Sequence, residues 1–152
     1  MKLRFSLKNA STGFTLIELL VVIAIIGILS AVVLASLNTA RSRGNDAAIT
    51  QNLHGVQTQA ELYYLGPGSN SYGTNTTGCT TGVFSDPVVA KAIAAAAAAS
   101  GNTTPACYAN TTSYLVGVKL STNATEWWCI DSRGTAKKEQ TVFPTAATYL
   151  CP

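Results

Sequence analysis

The chain predicts an α+β fold in which one long N-terminal helix, an apolar half followed by an amphipathic half, packs against a small antiparallel β-sheet. Three observations carry this expectation. No proline occurs between Met1 and Pro67, so nothing interrupts a helix whose apolar pattern begins near Phe14. Two strand-like runs, Ser113 to Leu120 and Thr125 to Asp131, are separated by the polar turn Ser121 to Ala124, the pattern of a hairpin. All four cysteines, Cys79, Cys107, Cys129 and Cys151, lie beyond the helix, where a small core needs staples.

The helix begins within Gly13-Phe14-Thr15-Leu16-Ile17-Glu18-Leu19-Leu20, which places one carboxylate inside an aliphatic run that continues to Leu37. Such a run approaches the roughly 20 residues a helix needs to cross a bilayer. An ionised carboxylate at membrane depth is costly unless something pairs with it, so Glu18 calls for a cationic partner. An ordinary anchor has no use for it.

Gly-Phe-Thr-Leu-Ile-Glu followed by an aliphatic helix resembles the class III signal of bacterial type IV pilins and type II secretion pseudopilins, in detail over residues 1 to 65 and in general plan beyond. The resemblance implies that a prepilin peptidase removes residues 1–13 as a leader by cutting between Gly13 and Phe14, and methylates the new amine of Phe14. It also implies a partner for Glu18: the N-terminal ammonium of a neighbouring subunit in a homo-oligomeric filament. The expected fold is then pilin-like, and the expected partners are further copies, the peptidase, the membrane and a pilus or secretion assembly machine.

Charge supports processing independently. Lys2, Arg4 and Lys8 precede Gly13 with no acid among them, so their removal takes the formal net charge from +3 to zero. A positive flank before an apolar helix stays on the cytoplasmic side, which turns everything after the helix outward. The precursor is thus expected as a single-pass protein of the cytoplasmic membrane, and the assembled form as an extracellular or periplasmic filament. The seven remaining bases are scattered among seven acids, so no nucleic-acid site is evident. The competing reading is a secretory signal peptide with Val33-Leu34-Ala35 as its cleavage site, which a glutamate early in the hydrophobic region disfavours. Arg41 and Arg43 read as anchors at the outer interface.

From Asn45 to Leu65, apolar residues recur at spacings of three and four (Ile49, Leu53, Val56, Ala60, then Tyr63 or Tyr64), so the helix continues with a stripe to bury. Gly66-Pro67-Gly68 stops it. The expected organisation is a leader over 1–13, a transmembrane or filament-core helix half over 14–38, an amphipathic half over 39–65 and an extracytoplasmic, disulfide-stapled part over 66–152. Four cysteines allow three pairings. Cys79 with Cys107 and Cys129 with Cys151 each close a sequential loop, and the second also resembles the C-terminal disulfide loop of many type IV pilins. A metal site is the other use of four cysteines, but no Cys-x-x-Cys occurs and His54 lies far away in the helix, as a surface or groove residue. No nucleophile, base and orienting group stand at a recognisable spacing, and no glycine loop for phosphate occurs, so neither an enzyme nor a cofactor or metal is expected.

Ser85-Asp86-Pro87 reads as a cap followed by proline in the first turn of a short alanine-rich helix, Val88 to Ala99, ending near Gly101. Trp127 and Trp128 point to opposite faces of their strand, one into the core and one outward as a candidate inter-subunit or adhesive contact. Asp131-Ser132-Arg133-Gly134 is a turn signal, after which Lys137, Lys138 and Pro144 read as a loop and Tyr149-Leu150-Cys151 as a return to the sheet. Residues 66–82 and 100–113 are rich in Gly, Ser, Asn and Thr and read as exposed loops. They hold the formal asparagine-glycosylation acceptors Asn75, Asn102 and Asn110; Asn123 lies in the hairpin turn, and the Thr-rich loops suit O-linked sugar.

The expected function is therefore structural: a type IV pilus-like subunit stored in the membrane and polymerised after leader cleavage, serving adhesion, motility or DNA uptake. A pseudopilin of a type II secretion or competence machine is the alternative within the family, weakly disfavoured by the lack of clustered acids for calcium. A monomeric membrane-anchored or secreted binding module is the alternative outside it. Unlike many type IV pilins, the stretch Ala31 to Leu37 has no proline, which leaves Gly27 and Ser30 as the positions where the helix has room to stretch.

Overall fold

The computed structural model describes residues 13–139 and 149–152. The basic leader residues and Pro144 lie outside them. The chain divides into two compact units, Met1–Asn38 and Thr39–Pro152.

Helix α1, Leu16–Leu65, runs 50 residues without a break. Its first part, within the first unit, exposes every residue from Leu16 to Leu37, among them Ile17, Leu20, Ile25, Ile28, Val32 and Leu34. Among the described residues, α1 is long and apolar enough to cross a membrane, with a mean hydropathy of 3.0 in its most apolar window.

In the second unit, Ile49, Leu53, Val56 and Ala60 are fully buried, the stripe that the spacing of three and four picks out. They meet a five-stranded antiparallel meander in which sequence order is spatial order: β1 (Thr76–Thr77), β2 (Ala106–Ala109), β3 (Tyr114–Lys119), β4 (Trp127–Asp131) and β5 (Ala136–Glu139). Period-2 alternation turns Tyr114, Val116, Val118 and Ile130 into the same core as the helix stripe. Helix α2, Pro87–Ala99, adds Val89, Ile93 and Ala96. Asp86 caps α2, its Oδ1 accepting the N–H groups of Val88 at 2.9 Å and Val89 at 3.1 Å, with Pro87 in the first turn. A single 3₁₀ turn, Gly82–Ser85, buries Val83 and Phe84. Gly82 there has φ of +61°, and a Cβ would lie 2.6 Å from the Tyr72 carbonyl oxygen, so the position requires glycine.

Three expectations need correction. Lys137 and Lys138 belong to edge strand β5, not to a loop; β5 pairs with β4 from Trp127↔Glu139 to Ile130↔Ala136. Its charges mislead a reading by composition, yet they suit an edge, where Lys137 pairs with Glu139 at 2.9 Å and Lys138 with Glu126. Tyr149-Leu150-Cys151 forms no strand; the Cys151 N–H is taken instead by the Asp131 carboxylate, at 3.0 Å. The polar segments 66–82 and 100–113 contain strands β1 and β2, because Cys107 and Ala109 give β2 a buried face that small side chains hide from a hydropathy reading.

Candidate assembly site

The start of α1 is built by its own sequence. Thr15 and Glu18 stand three apart and form a reciprocal cap: the Glu18 carboxylate accepts the Thr15 N–H at 2.9 Å and the Thr15 hydroxyl at 2.7 Å, while the Glu18 N–H donates to Thr15 Oγ1 at 3.3 Å. This pairing has a plain signature, Thr-x-x-Glu before an apolar run, which the reading centred on the charge of Glu18 passed over. It holds the side chain of Glu18 at the N-terminal end of the helix, where the macrodipole favours a negative charge. Phe14, Ile17, Val21 and Val22 border a shallow groove of about 400 Å³ beside that carboxylate. Thr15 is neutral. Within the chain, both hydrogen bonds fall on one oxygen of Glu18, Oε2, and neither compensates its charge.

The second unit presents a surface tied together by polar clamps. Asp46, on α1, accepts the N–H of Ser121 at 2.6 Å and of Thr122 at 3.3 Å, and also takes the Thr122 hydroxyl, pinning the β3–β4 turn to the helix. Disulfides join Cys79 to Cys107 and Cys129 to Cys151, so one ties the segment after β1 to β2 and the other ties the C-terminal residues to β4. His54 is exposed; its Nδ1 lies 3.2 Å from Gln57 Oε1, and its ring meets that of Trp128 edge-on at 6.4 Å. Trp128 packs against the core, whereas Trp127 lies on the other face of β4 with the Lys119 ammonium 5.3 Å from its ring.

The four acceptor asparagines differ in setting. Asn110 Oδ1 accepts the N–H groups of Thr112 at 2.9 Å and Ser113 at 2.7 Å, and Asn123 Oδ1 accepts the N–H of Thr125 at 3.1 Å and its hydroxyl at 2.8 Å, so both close side-chain turns. Asn75 and Asn102 have positive φ, +22° and +62°.

A further feature has no counterpart in the linear pattern. Gln57, Thr58 and Glu61 of α1, Tyr114 of β3, Asp131 at the end of β4 and Gly134 after it line an open cleft of about 260 Å³. No group of three or more metal-ligating side chains occurs among the described residues.

The exposed aliphatic stretch from Leu16 to Leu37 thus begins at a capped carboxylate, and it is this stretch that comparison with known proteins picks out. Residues 8–34 match the family described as the prokaryotic N-terminal methylation motif. Over 69 residues the chain is 48% identical to the type IV wide pilus major component PilA4 of Thermus thermophilus, a match covering 45% of this chain and 50% of that protein. The chain thus spans about half the length of the curated relative it matches. No solved structure matches it.

Proposed function

We propose that this chain is the structural subunit of a type IV pilus-like filament. The observation that carries the reading is the complete exposure of Leu16 to Leu37, a stretch that the match to the N-terminal methylation motif, residues 8–34, largely includes. Aliphatic side chains along about 33 Å of helix gain roughly 25 cal/mol for each Å² removed from water, so this surface is driven either into lipid or against other copies. Lipid stores the precursor; copies replace lipid in the filament. Residues 1–13 form the leader, Phe14 becomes the methylated N-terminus, residues 14–38 form the filament core, and residues 39–65 carry the outward-facing part, 66–152.

Cutting after Gly13 creates an ammonium four residues before Glu18. The charge that Thr15 leaves uncompensated is then met by the Phe14 ammonium of a neighbouring copy in a dry bundle. The chain acts by assembly and has no catalytic role. Similarity to a pilus major component favours a pilus subunit over a secretion pseudopilin. Intact-mass analysis of filaments sheared from cells that produce this chain tests the reading: the expected species begins at N-methylated Phe14, and substitution of Gly13 by a bulky residue leaves uncut precursor in the membrane. A mature terminus at Ser36, with no filaments by electron microscopy, overturns it.

A further inference from the structure

The cleft between α1 and the β4–β5 turn holds negative charge that the chain does not balance. Glu61 accepts the Tyr72 hydroxyl at 2.8 Å, and Asp131, only 1% exposed, accepts the N–H groups of Arg133 at 2.9 Å, Thr135 at 3.1 Å and Cys151 at 3.0 Å. The donors are one hydroxyl and three backbone N–H groups, that of Arg133 included, and neither carboxylate has an ion pair among the described residues. The hydroxyl of Tyr114, a residue 1% exposed, lines the same space and makes no hydrogen bond among the described residues. Burial, and after it the charge of Glu61, raises the Tyr114 pKa, so the hydroxyl stays protonated and faces the carboxylates as a neutral group. An unpartnered hydroxyl on a residue only 1% exposed, beside two carboxylates, is set to meet a donor-rich cation.

The cation is on the same helix. Arg41 and Arg43 are exposed and make no ion pair among the described residues. At about 100° per residue, Arg43 lies five full turns before Glu61, on the same side of α1. Arg41 lies about 200° around from Glu61 and about 30 Å away along the axis. Within one copy, Arg41 and the cleft can never meet. In two parallel copies offset by that distance, the Arg41 flank of one faces the Glu61 flank of the other.

The geometry points to the cleft as the receptor for the Arg41 guanidinium of a second copy, displaced about 30 Å along α1. The inference rests on the filament reading and adds the register of a neighbour other than the one whose Phe14 ammonium meets Glu18, since that pairing offsets copies by only about 6 Å. A guanidinium suits the site because its planar fork donates to two carboxylates and to the Tyr114 oxygen together. The contact is also heterologous, one flank meeting a different one, so it repeats without closing and extends a helical assembly.

The test uses the full chain as the sole pilin of a piliating strain, with sheared filaments and the membrane pool measured side by side. Arg41→Glu and Glu61→Arg should each lower filament recovery at least about tenfold with the membrane pool unchanged, and the double exchange should restore it to within about twofold. Glu61→Gln, which keeps an acceptor for Tyr72, should lower recovery without disturbing the fold. Arg43→Glu should have little effect. A double exchange no better than either single variant, or Arg43→Glu as damaging as Arg41→Glu, overturns the inference while wild-type filaments keep the pilus reading intact. Filaments that fall apart on calcium chelation irrespective of residue 41 put a metal ion in the cleft and overturn it too. A wild-type chain that never forms filaments removes both readings.

Discussion

Two stretches of one helix use the same kind of side chain in opposite ways. Ile49, Leu53 and Val56 are fully buried against β3, β4 and α2, whereas Ile17, Leu20, Ile25 and Leu34, of equal size and similar hydropathy, are exposed. The difference lies in what the rest of the chain supplies. Beyond Leu65 the sequence provides a sheet and a second helix, which cover one stripe of the outer stretch and leave its flanks polar. Among the described residues of its own unit, nothing covers the inner stretch, which is apolar all the way round. A helix that is hydrophobic on every side suits burial in a large core or a membrane. The outer stretch therefore folds its own unit and, on the proposed function, the inner stretch assembles the filament, so substitutions in the two should fail in different assays.

The sharpest separation is expected at Glu18. Glu18→Ala removes a charge unfavourable in lipid, so membrane levels and both disulfides should stay normal while surface filaments fall by at least about tenfold when it is the only copy. Abundant normal filaments would remove its proposed pairing with the Phe14 ammonium. Leu53→Ala should do the reverse, destabilising the outer unit by about 2–5 kcal/mol through lost transfer energy and an unfilled cavity, as read by denaturant unfolding of detergent-solubilised chain. Insertion of the inner stretch should be unchanged.

Opening the Cys129–Cys151 loop with the paired change to serine should cost about 3 kcal/mol in the chain-entropy description, again confined to the outer unit. Non-reducing peptide mapping should recover Cys79 with Cys107 and Cys129 with Cys151; a crossed pairing would remove the two-staple account. Asp46→Ala leaves two backbone N–H groups of the β3–β4 turn without their acceptor and should cost about 1–2 kcal/mol, visible as faster hydrogen exchange at Ser121 and Thr122.

The smallest effect is expected in alkali. Tyr72 and Tyr114 both have raised pKa values, chiefly through burial and then through Glu61. The folded state thus holds protons that the unfolded chain releases near pH 10, so stability should decline as pH rises through about 10. Ultraviolet titration of the six tyrosines should show two that ionise only on unfolding. Early ionisation of all six would show that the Tyr72–Tyr114 cluster is wetter than its burial indicates.

Much of the helical architecture was legible in the residues, because it rests on local chemistry. The absence of proline before Pro67, the spacing of Ile49, Leu53, Val56 and Ala60, the Asp86-Pro87 cap and the Gly-Pro-Gly stop act within a few residues of themselves, and each has a pattern that can be read in one dimension. The apolar run from Leu16 to Leu37 was legible for the same reason. Strands β1, β2 and β5 were not, because a strand is stabilised by a neighbour distant in sequence: Lys137 opposite Cys129, or Thr77 opposite Tyr108, has no local signature. The Asp46 clamp spans 75 residues to Ser121, and the cleft of Glu61, Tyr114 and Asp131 exists only once α1 lies on the sheet. The sequence by itself determined the helix, its caps and the charge at its start, since short-range hydrogen bonds and periodicity set them. Tertiary structure alone decided which polar groups converge, since only packing brings residues far apart in the chain within reach of one another.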